Sequence, residues 1–227
     1  MLAPASSRLK AANSMSSHRL HAAVGDVLQQ VQAALPADVR SQCTLIKDPA
    51  CLGAPCPEYT RKRQQIPIFG SATRGNDTEY CNVDALLLLN GRIKVMVEIE
   101  ESAVDPVQIF GKFFASVAGQ CYIHKQDGDV PIYKDDRVLF VQVVRSDQLE
   151  PASSKPAQWQ NMEAAIRSFL PLGNIHHYSL LAGSASDFQA GQVKNRLLAE
   201  CVQEVLTAPL TGTPPVTGTP PGAHAPA

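Results

Sequence analysis

The chain has 227 residues, 44% apolar and 18% charged, enough to bury one sizeable core, so a single domain is expected. Its net charge of -1 speaks against a protein that coats nucleic acid non-specifically, because such binding rests on many Lys and Arg contacts to phosphate; a local basic groove stays compatible. The longest apolar run, residues 85–89, is far too short to cross a bilayer, and the first residues carry no apolar signal core, which predicts a cytoplasmic protein.

Residues 1–14 read as a flexible N-terminus. Across 17–35, Leu20, Val24, Val27, Leu28, Val31 and Leu35 recur three and four apart, the spacing of one apolar helical face, and Pro36 ends it. From 38 to 65 the pattern breaks into Pro, Gly and Cys punctuation around at most one or two strands. Arg61, Lys62 and Arg63 sit there, just before a short strand at 66–69. A turn-rich link, 70–78, containing Arg74, leads into two apolar strands, 83–89 and 92–100, joined at Asn90-Gly91.

Asp105 and Pro106 then supply an N-cap and first-turn proline for a helix whose Ile109, Phe110, Phe113, Phe114 and Val117 face inward and which Gly119 stops. A nearly all-apolar run at 138–144 suits a strand covered on both faces. A helix at 159–170, a strand at 177–182 and a helix at about 187–206 follow. Residues 207–227 repeat Thr-Gly-Thr-Pro-Pro and have almost nothing to bury, so a disordered tail is expected. The order predicts an α/β domain over 15–206, a mixed β-sheet flanked by helices.

Cys43, Cys51, Cys56, Cys81, Cys121 and Cys201 form no tight repeat and no CxxC pair, so reduced thiols are expected rather than a zinc cluster. Walker, HExxH, GxSxG and dinucleotide GxGxxG motifs are absent from the sequence, which removes the usual readings attached to them.

The informative segment is the hairpin, because it carries carboxylates where an apolar sheet tolerates them poorly. Ionised side chains are rarely buried unless paired or metal-bound, so an Asp entering one strand and a Glu-x-Glu leaving the next point to a divalent-metal site. Its register decides the matter. A plain two-residue turn pairs Leu89 with Arg92 and Asp84 with Val97, leaving Asp84 and Glu98 on opposite faces. A shift of one, through a three-residue loop or a bulge, puts Asp84 opposite Glu98.

In the shifted register Val83, Ala85, Leu87, Leu89, Ile93, Val95, Val97 and Ile99 share one apolar face. Asp84, Leu86, Leu88, Lys94, Met96, Glu98 and Glu100 share the other. The shifted register is therefore expected, with Glu98 and Glu100 roughly 6.5 to 7 Å apart along the strand. Alternation sends Glu101 to the opposite face with Ile99.

An Asp in one strand, an acid two before a Lys or acid in the next, and then a helix resembles the PD-(D/E)XK nuclease superfamily, across residues 82 to about 122. The resemblance implies a restriction-endonuclease-like fold with a helix, three-strand, helix, strand core. It implies that Asp84 and Glu98 hold a catalytic Mg²⁺, that the backbone carbonyl of Ile99 adds a ligand, and that Glu100 takes the place of the usual Lys. Val83 stands where the family has Pro, and a Glu at the Lys position occurs in some type II restriction enzymes.

Hydrolysing a phosphodiester needs a metal that polarises the phosphoryl oxygen and activates a water, and hard Mg²⁺ takes a few carboxylates plus waters. Glu100 would orient that water or hold a second metal, and Lys112 on the following helix would reach the scissile phosphate. Arg61, Lys62, Arg63 and Arg74 are the candidate DNA phosphate contacts.

The expectation is a Mg²⁺-dependent endonuclease acting on DNA, a homodimer if it cuts both strands. The rival is a non-catalytic DNA-binding or protein-interaction module of the same fold. A glycoside hydrolase using Glu98 and Glu100 ranks last, because both acids sit on one strand and cannot flank a bond from opposite sides.

Overall fold

The computed structural model describes residues 18–52, 66–102, 105–124 and 128–208. Residues 1–14 and 209–227, expected as flexible segments, lie outside the described residues, as do Cys56, Arg61, Lys62 and Arg63.

The elements run α1 (Arg19–Ala34), α2 (Ala37–Arg40), β1 (Cys43–Lys47), a 3₁₀ turn (Pro49–Leu52), β2 (Ile66–Phe69), β3 (Glu79–Val83), β4 (Ala85–Leu89) and β5 (Arg92–Glu100). They continue with α3 (Pro106–Ala118), β6 (Cys121–Ile123), β7 (Pro131–Arg145), α4 (Lys155–Ser168), β8 (Ile175–Gly183), a second 3₁₀ turn (Ala185–Phe188) and α5 (Val193–Thr207). The fold is a mixed sheet with helices on both faces, as the apolar pattern predicts.

The main sheet runs β1-β4-β5-β7-β8. The first three strands are antiparallel, and β5, β7 and β8 are parallel. Parallel neighbours need crossovers, which α3 supplies between β5 and β7, and α4 between β7 and β8. Both helices cover one face, where Ile109, Phe113, Trp159, Met162 and Ile166 pack on Leu86, Met96 and Phe140. Helices α1 and α5 cover the other, with Val24, Leu28, Leu198 and Val202 against Leu87, Val95, Val97 and Val141. Helix α1 lies close against the Pro49–Leu52 turn because residue 25 is glycine: a Cβ there would sit 2.3 Å from the Cys51 carbonyl oxygen.

A smaller sheet, β3-β2-β6, joins the main one through the first residues of β7, where Cys121 pairs with Tyr133. Strand β7 belongs to both sheets. Among the described residues no helix is long and apolar enough to cross a membrane.

The hairpin combines the two alternatives. Asn90 and Gly91 have φ of 54° and 72°, the pair of left-handed residues that a tight two-residue turn requires, and Leu89 pairs with Arg92. The ladder then shifts: Leu88 pairs with Ile93 but Leu87 with Val95, so Lys94 is an extra residue in a β-bulge. Beyond it, Ala85 opposes Val97, the shifted register.

The bulge reverses the alternation on one side, so Ile93 faces α3 and α4 rather than joining Val95 and Val97. Val83 also moves to that face, because Asp84 interrupts the expected single strand and Val83 ends β3, in the smaller sheet. Lys94, expected on the same face as Glu98, is the bulged residue and ion-pairs with Asp135 at 3.0 Å.

Other differences are local. Strand β1 falls within the stretch expected to hold at most one or two strands, and the short strands β3 and β6 lie largely where no element was expected. Helix α4 starts earlier than expected, at Lys155, and β7 extends to Pro131. The closing helix is broken into the Ala185–Phe188 turn and α5, with Gly191 in a left-handed conformation (φ 85°) between them. Phe114 is 45% exposed rather than facing inward, while Ile109 and Phe113 are buried.

Candidate metal and catalytic site

The ends of β4 and β5 lie between α1 and α3, and there the predicted acids meet. Asp84 sits where β3 hands over to β4, and its backbone is held on both sides: its N–H donates to the Val97 carbonyl (2.9 Å), and its carbonyl accepts from Asp48 N–H (2.8 Å). Asp84 Oδ2 accepts the N–H of Ile99 (2.6 Å). A carboxylate fixed by the neighbouring strand's amide has one oxygen committed and the other directed elsewhere; Oδ1 lies 3.5 Å from His21 Nε2.

Glu98, on the α3 face of β5, is 4% exposed. Its Oε1 accepts from Lys112 Nζ, and its Oε2 is buried with no hydrogen-bond partner. Burial and then the neighbouring Asp84 charge push the Glu98 carboxyl up to about 8, against the opposing pull of Lys112. Glu100, two residues on, lies 3.9 Å from the same ammonium, and burial raises its carboxyl above the ordinary value. Burial alone would lower Lys112, but Glu98 and then Glu100 outweigh it and hold the ammonium charged.

Helix α3 delivers Lys112 because its start is well fixed: Pro106 occupies the first turn and Gln108 Oε1 accepts the Asp105 N–H at 2.9 Å. Ser116, four residues beyond Lys112 on α3, is buried. Glu98 and Glu100 converge on one ammonium from the same side, which does not suit a glycosidase pair flanking a bond.

The structure thus gathers Glu98 and Glu100 on Lys112, while Asp84 is tied to Ile99 and turned toward His21, with its charge still felt at Glu98. It places Arg74 in the β2–β3 loop, where it ion-pairs with Asp129 at 3.6 Å. Two further residues join, His21 from α1 and Glu101 from just past the end of β5. His21 is 8% exposed, and its Nδ1 lies 3.1 Å from Glu101 Oε1. Burial would depress its pKa; the Asp84 and Glu101 carboxylates outweigh burial and raise it to about 10. Glu101 Oε1 also accepts the N–H groups of Leu20 (2.7 Å) and His21 (3.1 Å), so a strand-end carboxylate caps the first turn of α1.

Sequence reasoning missed His21. The signal was a His flanking Leu20 within the apolar stripe of an otherwise ordinary amphipathic helix, but its carboxylate partners are 63 and 80 residues away in sequence. No family model, curated protein or solved structure matches the chain.

Proposed function

We propose that this chain is a Mg²⁺-dependent endonuclease of restriction-endonuclease-like fold, acting on DNA, with Asp84 and Glu98 as the metal-holding carboxylates and Ile99 offering its backbone carbonyl. The observation that carries the reading is the Glu98 Oε2 atom, buried without a partner beside a second carboxylate. A protein rarely leaves a buried polar atom unanswered without a reason, and a hard divalent cation answers two clustered carboxylates. The order helix, three antiparallel strands, crossover helix, parallel strand supports the fold assignment, with β2, β3 and β6 as additions to that core.

When bound, the cation would polarise a phosphoryl oxygen and lower the pKa of a water. Asp84 is already oriented by the Ile99 amide, so little freedom is lost on engaging a ligand. Glu100, with its raised carboxyl, accepts a proton from the attacking water. Lys112 stands beside Glu100, so the charge that the usual motif Lys would supply comes here from helix α3. Arg74, with the basic run at residues 61–63, contributes phosphate contacts, and a homodimer would bring two sites to opposite strands.

The test is incubation of the purified chain with supercoiled plasmid in Mg²⁺, in Mn²⁺ and in chelator. Metal-dependent nicking is expected. DNA retention without nicking in either metal would instead support the non-catalytic module.

A further inference from the structure

The start of α1 and the residue after β5 bring a second set of donors to the same end of the sheet, on the face opposite α3. His18, His21 and Glu101 each place one ligand atom so that all three lie within 4.8 Å of one another. His18 Nδ1 is 3.9 Å from Glu101 Oε2, and His21 Nδ1 is 3.1 Å from Glu101 Oε1. Helix capping explains why Glu101 Oε1 is here. It does not explain His21, whose Nδ1 is buried without a hydrogen-bond partner on a side chain that is itself nine-tenths buried. The contact with Glu101 is close in distance but is not an aligned hydrogen bond.

The other ring nitrogen of His21 faces Asp84 Oδ1 at 3.5 Å. That is the arrangement of a metal-bound histidine: one nitrogen toward the ion, the other toward an orienting carboxylate. Two imidazoles with one carboxylate suit a borderline ion, whereas Mg²⁺ prefers oxygen donors. Three protein ligands leave a tetrahedral ion one position for water, and the His18 side chain, 59% exposed, gives the cluster a way in from solvent.

We propose that His18, His21 and Glu101 form a site for a transition-metal ion of the zinc class, with Asp84 as the outer partner that orients His21. The site uses ligands different from those of the Asp84–Glu98 pair and does not depend on the nuclease reading. Its effect is to tie the start of α1 to the end of β5. With Asp84 common to both clusters, an ion held by His21 would also restrain the carboxylate on which the hydrolytic reading depends.

The experiment is calorimetric titration of the chelator-stripped full chain with Zn²⁺, alongside visible absorption with Co²⁺. A single high-affinity zinc ion is expected, with cobalt d–d bands and no thiolate charge-transfer band. His18→Ala, at an exposed position, should keep the fold and weaken Zn²⁺ binding at least about 10-fold, since even orienting partners are worth that much. Glu98→Gln should leave Zn²⁺ affinity unchanged.

Equal affinity in wild type and His18→Ala would place the ion elsewhere, at cysteines or at His176 and His177, and overturn the proposal. Loss of zinc in Glu98→Gln but not in His18→Ala would assign the ion to the other cluster and overturn it equally. Plasmid nicking reports on the hydrolytic reading by itself, so either can fail while the other stands.

Discussion

The sheet buries charge in two places and treats it differently. Near the hairpin bulge, Lys94 pairs with Asp135 at 3.0 Å, and Asp135 also accepts the Arg137 N–H at 3.2 Å. Beside it, Lys134 Nζ donates to the Ser116 carbonyl and, at 3.3 Å, to that of Val117, closing the end of α3. At the other end of β5, Glu98 Oε2 is buried with no partner, and the buried His21 Nδ1 faces Glu101 Oε1 at 3.1 Å without an aligned hydrogen bond. A buried charge is therefore not in itself a sign of function here. Two lysines are absorbed into the architecture with their neighbours' acceptors, whereas an oxygen on one face and a nitrogen on the other are left able to take a ligand.

The sharpest way to break this contrast is to neutralise the unanswered end. On the proposed chemistry, Asp84→Asn and Glu98→Gln should each lower metal-dependent nicking by about 100-fold or more, because a group stabilising transition-state charge is removed. Far-ultraviolet circular dichroism should stay that of the wild type. Nicking within a few fold of wild type in either variant would move the chemistry away from this cluster.

The answered end should behave in the opposite way. Asp135→Asn leaves the Lys94 ammonium, with an 8% exposed side chain, without its ion-pair partner, and breaking such a pair costs about 3 kcal/mol. Denaturant unfolding should show that loss while nicking of the folded protein is unchanged. A cost under roughly 1 kcal/mol would mean that the pair is solvated and the contrast overdrawn.

Lys134 gives a pH test of the same region. Burial lowers its pKa from 10.5 to about 8. Between those values the unfolded chain binds the proton and the folded chain does not, so folded stability rises as pH increases through this window, by roughly 1 to 3 kcal/mol. Lys134→Met should lack that rise. Parallel curves for the two proteins across the window would show that the helix-end carbonyls keep the ammonium charged after all.

The finest distinction lies between adjacent glutamates. Glu100→Gln should cut nicking by about 100-fold if it handles the water proton, whereas Glu101→Gln should change it only a few fold. In chelator, Glu101→Gln should cost about 1 kcal/mol of stability through a weaker cap on α1. Equal loss of activity in both would mean that the α1 cluster takes part in the chemistry directly.

The α/β class, α1, α3, the hairpin and the shifted register could all be read from apolar periodicity and from the cost of placing Asp84 and Glu98 within it. What could not be read came from contacts distant in sequence. Strands β1, β3 and β6 are only three to five residues long, so strand-favouring residues such as Thr44 and Tyr122 have no length over which to show a period, and neighbouring edges complete them. The choice between a tight turn and a shifted ladder looked exclusive because each was judged on one strand's alternation; Lys94 satisfies both, and its pairing with Asp135 depends on β7. His21 joined the site for the same reason, since a helix stripe shows which face is inward but not what it meets.

The bulge at Lys94 has a practical consequence for protein engineering. It separates the register that the turn dictates from the register that Asp84 and Glu98 need, so the hairpin tip is insulated from the carboxylates. Asn90 and Gly91 are exposed, and a Cβ added at Gly91 would meet nothing within 4 Å, although its left-handed backbone restricts which residues fit. A reporter peptide or fluorophore spliced between them would ride on a ladder whose spacing is reset before it reaches the acids. That makes the tip a suitable insertion point for a tag that leaves the acids undisturbed.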